Sequence, residues 1–303
     1  MRLPDLSEID IGSSIAGVDG VLAPRRGGQK LVFPCSIGNH RYALKVMWIA
    51  DATGGHRIPG RAGSPAHIRA LREFRILQRC ASTHLTAVGP IGPTVTTICG
   101  QHVLYFTEEW IDGLDLHRLL RSSGPLPLPD VATLGMDVAD AISVLWTHRI
   151  VHRDIKPGNI MRRKPSGAFV LLDLGSALDL CEHQQETPGR SPGTRLYFPP
   201  ERIGEGMPVD HRSDLFSLGI VLYEAVTGLH PFAHPAADEA EALSRLGWFK
   251  PLRPTTFRAD MPLSCSAIIM RLLAKKPQNR YRSPIDVIDA LRPYSDSSGE
   301  TFH

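Results

Sequence analysis

The sequence predicts an α+β protein of two lobes, a small β-rich one followed by a larger helical one. Three observations lead there. Strand-type runs dominate up to about residue 111, amphipathic helical patterns take over from about residue 113, and a short polar segment, "IVHRDIKPGNIM" (150–161), interrupts the helical part. In that segment His152, Arg153, Asp154, Lys156 and Asn159 crowd between the apolar anchors Ile150, Val151, Ile160 and Met161, while Pro157 and Gly158 prevent a helix. A solvated turn needs no such anchors, and a core strand does not tolerate the charges. The pattern suits a rigid loop that aims several side chains at one place.

The elements follow in order. The runs "KLVFPCSI" (30–37) and "HRYALKVMWI" (40–49) join at Gly38-Asn39, a hairpin turn. The stretch 50–66 is rich in Gly and Pro and reads as a loop. "AHIRALREFRILQRCA" (66–81) spaces Ile68, Leu71, Ile76 and Leu77 among charges, as an amphipathic helix does. "TVTTICGQHVLYFTEEWI" (94–111) returns to strand character across a turn at Gly100. "LDLHRLLRSS" then forms a helix ended by Gly124-Pro125, and 130–149 reads as a long helix with Asp130 as its N-cap. After the polar loop come two short strands, a long polar stretch (176–198) and the helix 213–228. Further helices are predicted at 236–247, 264–274 and 283–291. No internal repeat is visible, and the two lobes would leave a cleft near residue 111.

Composition narrows the class. A chain of 303 residues with 42% hydrophobic and 21% charged residues has material for one large domain or two lobes of a globular protein. Thirty-four Lys and Arg against thirty-one Asp and Glu leave a formal charge of +3, too slight a bias to argue for nucleic acid. Cys35, Cys80, Cys99, Cys181 and Cys265 are scattered and form no CxxC pair, which argues against a disulfide framework or zinc site. The opening "MRLPDLSEID" lacks the basic start and apolar core of a signal peptide, and "LGIVLYEAV" (218–226) is far short of the roughly 20 residues of a membrane span. A soluble, cytoplasmic protein is the expectation.

The motifs resemble those of the eukaryotic-type serine/threonine protein kinases. "HRDIKPGN" (152–159) matches the catalytic loop H-R-D-x-x-x-x-N, and "LLDLGSA" (171–177) supplies Asp173-Leu174-Gly175 where the family commonly has Asp-Phe-Gly. "GTRLYFPPE" (193–201) corresponds to the segment ending in A-P-E, and "KKPQNRYRS" carries Arg280, the usual buried partner of Glu201. Asp214 opens the helix that resembles the family's central one. The resemblance covers roughly 27–293. It implies a two-lobed protein-kinase-like fold: an N-terminal extension (1–24), an N-lobe (25–111), a C-lobe (112–293) and a polar tail (294–303).

The resemblance also implies roles. Asp154 would accept or orient the substrate hydroxyl, Lys156 would steady charge on the transferring phosphate, and Asn159 and Asp173 offer oxygen ligands suited to Mg²⁺. Lys45, in "YALKVM", would hold the α- and β-phosphates of ATP, oriented by Glu73; in an arginine-rich helix Glu73 reads equally as a solvated ion-pair residue. Gly27 and Gly28 stand in the position of the glycine-rich loop, with Lys30 where its third glycine would be. They form either a nucleotide-covering turn or an ordinary one, and Lys30 faces either phosphate or solvent. Backbone groups of Glu109 and Ile111 would read the adenine edge, with Glu108 at the back of that pocket. Val32 and Ala43 would cover the ring from above and Met161 from below, Met161 being otherwise a core residue. His152 is assigned a scaffolding role.

Three functions remain open from sequence. The first is a protein kinase acting on Ser or Thr of protein substrates and on itself, for which Lys156 and Thr194 are the specificity signatures; Thr187 and Ser191, each before a proline, are either autophosphorylation sites with Arg153 as their partner or simply residues that terminate turns. The second is a pseudokinase scaffold, suggested by the poor glycine loop. The third is a small-molecule kinase like the aminoglycoside phosphotransferases, which lack the Pro-Pro-Glu segment and its arginine. The physiological substrate, upstream signal and oligomeric state are not encoded in any motif.

Overall fold

The computed structural model describes residues 6–26, 30–49, 65–182, 194–203, 208–234 and 238–295. The chain divides into two compact units, Met1–Ala81 with Thr86–Ile111, and Ser82–Leu85 with Asp112–His303.

The first unit contains α1 (Glu8–Ser14), β1 (Arg25–Arg26), β2 (Lys30–Ile37), β3 (His40–Trp48), α2 (Pro65–Arg79), β4 (Thr94–Ile98) and β5 (Gln101–Glu109). The strands form one antiparallel sheet in the order β1-β2-β3-β5-β4. Gly38 takes φ +57° in the β2–β3 turn, a conformation open to glycine at little cost. Strand alternation then sorts the side chains onto two faces. On one, Phe33, Leu44, Val46 and Tyr105 form a buried cluster with Ile11 and Ile15. On the other, Met47, Leu104 and Phe106 pack against Ala70 and Phe74 of α2, the Phe74 and Phe106 rings edge to face at 5.6 Å. The register Lys45↔Phe106 and Ala43↔Glu108 places Lys45 and Glu108 on this second face as well.

Helix α1 lies in the segment to which the sequence patterns assign no element. Ser7 and Asp10 close a capping box, the Ser7 Oγ accepting from the Asp10 N–H at 3.2 Å and the Asp10 carboxylate accepting from the Ser7 N–H at 2.8 Å.

The second unit contains β6 (Gly113–Asp115), α3 (Leu116–Ser123), α4 (Leu128–Thr147), β7 (Ile150–Val151), β8 (Ile160–Arg163), β9 (Phe169–Leu171), β10 (Leu178–Asp179), α5 (His211–Thr227), α6 (Glu239–Trp248), α7 (Leu263–Leu272) and α8 (Pro284–Leu291). Small antiparallel sheets, β6-β8-β9 and β7-β10, frame the polar loop of 152–159. Helix α5 is buried on nearly every side between α4 and α7, as its unbroken apolar run requires. Gly219 allows the close approach to α7, since a Cβ there would lie 2.7 Å from the Leu272 Cβ. Ser82–Leu85 join this unit because the Leu171 N–H donates to the His84 carbonyl at 2.8 Å and Ser82 Oγ to Asp140 at 3.2 Å.

Helix bounds differ from the sequence reading by up to three residues, and two of the shifted starts have a local cause. Helix α4 begins at Leu128 rather than Asp130, because Pro129 is tolerated in a first turn whose N–H groups have no partner. Asp130 is therefore not the N-cap; it sits in the first turn and forms an ion pair with Arg162 at 2.7 Å. Helix α5 begins at His211, two residues early, because Asp210 caps it by accepting from the Arg212 N–H at 2.8 Å. No helix among the described residues is long and apolar enough to cross a membrane.

Candidate active site

In the first unit the chemistry gathers around Lys45. Strand β3 holds this lysine buried, 5% exposed, with its Nζ 2.5 Å from Glu73 Oε1 on α2 and 2.5 Å from Glu108 Oε1 on β5. Lys30 on β2 brings a second ammonium to 3.6 Å from the same Glu73 oxygen. The expected Lys45–Glu73 pairing is present, and Glu73, at 2% exposure, is not a solvated surface residue. Lys30 is likewise turned to Glu73 rather than to solvent. Burial pushes the Glu108 carboxyl up to about 7, against the pull of Lys45 and with the repulsion of Glu73.

Sequence reasoning gave Glu108 only a place behind the nucleotide pocket and missed its bond to Lys45. The signal was there in the strand period: Glu108 stands two residues beyond Phe106, opposite Ala43, hence on the face of Lys45. Val32 pairs with Lys45 across β2 and β3, and Ala43 is buried on the same face. Glu109 ends β5 with its N–H donated to the Ala87 carbonyl at 2.8 Å, and Ile111 is buried. Gly27 and Gly28 lie outside the described residues.

In the second unit the polar loop is clamped at both ends, by β7 against β10 and by β8 against β9 and β6. Its middle is fixed by Asp214 of α5. That buried carboxylate accepts the His152 N–H at 2.7 Å and the Arg153 N–H at 2.9 Å. Burial raises the Asp214 pKa, opposed by His152 and these two backbone donors. His152 is a scaffold, as expected: its Nε2 lies 3.1 Å from the Leu172 carbonyl and its Nδ1 accepts the Asp154 N–H at 3.3 Å.

The loop then presents Asp154. Its Oδ2 accepts from Lys156 Nζ at 2.8 Å and from Asn159 Nδ2 at 2.9 Å. Asn159 also donates to the Asp154 carbonyl at 2.8 Å, so its amide oxygen points the other way. The Leu172 N–H donates to the Asn159 carbonyl at 2.8 Å, which ties Asp173, the next residue, to the same loop. Arg153 and Asp173 both take positive φ, +68° and +67°. Such backbone costs non-glycine residues about 1–3 kcal/mol, and it persists where surrounding bonds over-determine it. Met161, the expected lower cover of the adenine ring, sits buried in β8 between Asp115 and Val170.

Glu201 and Arg280, 79 positions apart, form the expected buried pair through bonds of 2.7 and 2.8 Å. Ser213 adds a third bond to Glu201 at 2.8 Å. Thr187 and Ser191 lie outside the described residues. Arg153, their expected partner, donates through Nε to the Ser176 carbonyl at 3.0 Å.

Comparison with known proteins agrees with this geometry. Residues 39–287 match the family model described as protein kinase domain. The chain is similar to the serine/threonine-protein kinase PknH of Mycobacterium tuberculosis (strain H37Rv), 30% identical over 220 residues, covering 72% of this chain and 33% of that protein. It is similar to PknE of M. tuberculosis (strain H37Ra), 32% identical over 214 residues (70% of this chain, 36% of that one). PknB of Mycolicibacterium smegmatis is 33% identical over 187 residues, 60% of this chain and 29% of that one. The chain thus spans about a third of the length of these curated relatives. With the matched model covering most of its length and the motif residues assembled as described, the chain belongs to the eukaryotic-type serine/threonine protein kinase family.

Proposed function

We propose that this chain is a protein kinase that uses ATP and Mg²⁺ to phosphorylate Ser and Thr hydroxyls of protein substrates, itself included. The observation that carries the reading is the Asp154–Lys156–Asn159 constellation on a loop fixed by Asp214. Phosphoryl transfer needs the hydroxyl positioned and the charge on the phosphate steadied more than it needs covalent chemistry. Asp154 orients the acceptor hydroxyl and takes its proton. Lys156, already on the Asp154 carboxylate, steadies the charge that develops on the transferring group. Lys45, held by buried carboxylates in the first unit, serves the α- and β-phosphates.

The donor set fits the metal. Asn159 and Asp173 contribute one amide and one carboxylate oxygen, hard ligands of the kind Mg²⁺ takes together with substrate phosphates. Among the described residues no cluster of three or more His, Cys, Asp or Glu would hold a metal by itself. Bound there, Mg²⁺ would neutralise phosphate charge. Val32, Ala43 and Met161 are the apolar residues for the adenine ring, with backbone groups of Glu109 and Ile111 for its polar edge. The five cysteines, none of them in a disulfide, suit a reducing compartment, so we place the activity in the cytoplasm.

The experiment is phosphate transfer from labelled ATP to a generic protein substrate by the wild type and by Asp154→Asn. The substitution keeps the shape of the side chain, so nucleotide binding should be nearly unchanged while transfer falls by several orders of magnitude. Undiminished transfer would exclude Asp154 as the base. No transfer by the wild type, with nucleotide still bound, would favour the scaffold reading.

A further inference from the structure

The arrangement around Lys45 has one carboxylate more than an oriented phosphate-binding lysine requires. Glu73 and Glu108 both sit 2.5 Å from the same ammonium, and neither is more than 3% exposed. Their surroundings are unequal. Glu73 has two cations near it, Lys45 and, at 3.6 Å, Lys30; Glu108 is hydrogen-bonded to Lys45. The charged groups acting on Glu108 are Lys45 from β3, Glu73 from α2 and Lys30 from β2. The stretch Thr86–Pro93, which meets the backbone of β5 through the Val88–Glu108 bridge, brings no titratable side chain. Two ammoniums and two carboxylates thus meet in a site where Lys45, Glu73 and Glu108 are buried.

A phosphate anion drawn to Lys45 would add negative charge beside these two buried carboxylates, where water screens it poorly. The relief that requires least movement is protonation of the carboxylate with the weaker cationic support, which is Glu108. We propose that Glu108 is a positioning residue for nucleotide binding: its carboxylate competes with the nucleotide phosphates for Lys45 and takes up a proton when they engage that lysine. The proton comes from buffer and ends on a Glu108 oxygen; no covalent bond to the nucleotide forms. The proposal rests on the reading that Lys45 serves ATP. The ionisation of Glu108, raised by burial to about 7, puts the exchange in an accessible pH range. Linkage is reciprocal, so nucleotide raises the proton affinity of Glu108 and acid tightens nucleotide binding.

The test is calorimetric titration of the 303-residue chain with a non-hydrolysable ATP analogue and magnesium at pH 6, 7 and 8. Each pH is run in two buffers of different ionisation enthalpy, for wild type, Glu108→Gln and Glu108→Met. Wild type should bind with net proton uptake at pH 7 and weaken by roughly fivefold or more from pH 6 to pH 8. The neutral variants should bind at pH 8 about as tightly as wild type does at pH 6. The nucleotide's own ionisation is common to all three proteins and cancels in the comparison. Parallel pH profiles in wild type and variants, or zero proton uptake by wild type at pH 7 with binding intact, would overturn the proposal and leave the ATP reading standing. The uptake measurement needs no substitution, so a variant that fails to fold does not remove the test. Absence of binding by wild type at every pH would overturn both.

Discussion

Replacing Glu201 with alanine should destabilise the second unit by about 3–5 kcal/mol, the cost of stranding a buried charge. The figure follows from the bonding of Arg280, which is 1% exposed. A guanidinium has five N–H donors, and all five are placed. Two go to Glu201, and the others to the carbonyls of Ala274 at 2.8 Å, Arg212 at 2.8 Å and Lys275 at 3.1 Å. Phe216 supplies an aromatic face 4.7 Å from the guanidinium carbon. Alanine at 201 removes the only carboxylate in this set. Three carbonyl dipoles remain to hold a full charge out of water, and Ser213 Oγ loses its acceptor as well. In a unit of this size such a loss lowers the melting temperature by roughly 10 °C. Thermal unfolding followed by circular dichroism measures it. The double variant Glu201→Leu with Arg280→Met, which removes both charges, should recover much of the loss because apolar replacement of a buried pair is often close to neutral. A melting curve for Glu201→Ala within about 2 °C of wild type, or a double variant no better than the single one, would refute this account of the pair.

Two other outcomes follow from local geometry. His230 is buried, with Nδ1 accepting the Phe232 N–H at 3.2 Å and the Ala233 N–H at 3.1 Å, and burial lowers its pKa from 6.5 to about 4. The unfolded chain therefore binds a proton that the folded one refuses. The associated stability is present above pH 6.5 and is lost as pH falls towards 4, by up to roughly 3 kcal/mol. His230→Asn, which retains an acceptor without a titrating ring, should show a shallower fall in urea midpoint between pH 7 and 4.5; equal falls would contradict it. Gly219→Ala should destabilise by about 1–3 kcal/mol despite the better helix propensity of alanine, because the new methyl meets Leu272 Cβ at 2.7 Å. Gly247→Ala in α6, where a Cβ meets nothing within 4 Å, should stabilise by about 0.5–1 kcal/mol, and unfolding midpoints of both variants check the opposite signs.

Periodicity and motif spacing made most of this legible before any coordinates. The β2–β3 hairpin, α2, the Gly100 turn and the helices of the second unit follow from alternation, apolar spacing and glycine, all local signals. Asp154, Lys156 and Asn159 were legible together because six consecutive residues suffice to aim them. Glu201 and Arg280 were legible only through the resemblance, since nothing local links positions so far apart. The bond from Lys45 to Glu108 was missed because it depends on register, on which residue of β3 lies opposite which residue of β5. The starts of α4 and α5 were each misplaced by two residues because prolines at 127 and 129 mimic a loop, and because the resemblance drew attention to Asp214 rather than to Asp210. Helix α1 was passed over although Ser7 and Asp10 carry its capping signal: the helix has seven residues, too few for an apolar period to stand out.

That short helix bears on where the folding unit begins. The match to the kinase family model starts at residue 39, inside the turn between β2 and β3. Packing starts more than thirty residues earlier, since Leu6, Ile11, Ile15 and Val18 share one cluster with Phe33, Leu44 and Tyr105. A chain trimmed to the matched region would lose β1 and β2 from the sheet and bare the face that α1 lines. It would also take away Lys30, the second ammonium beside Glu73. The matched region and the packed unit are different lengths of polypeptide, and the part before residue 39 insulates the underside of the very sheet whose upper side holds Lys45.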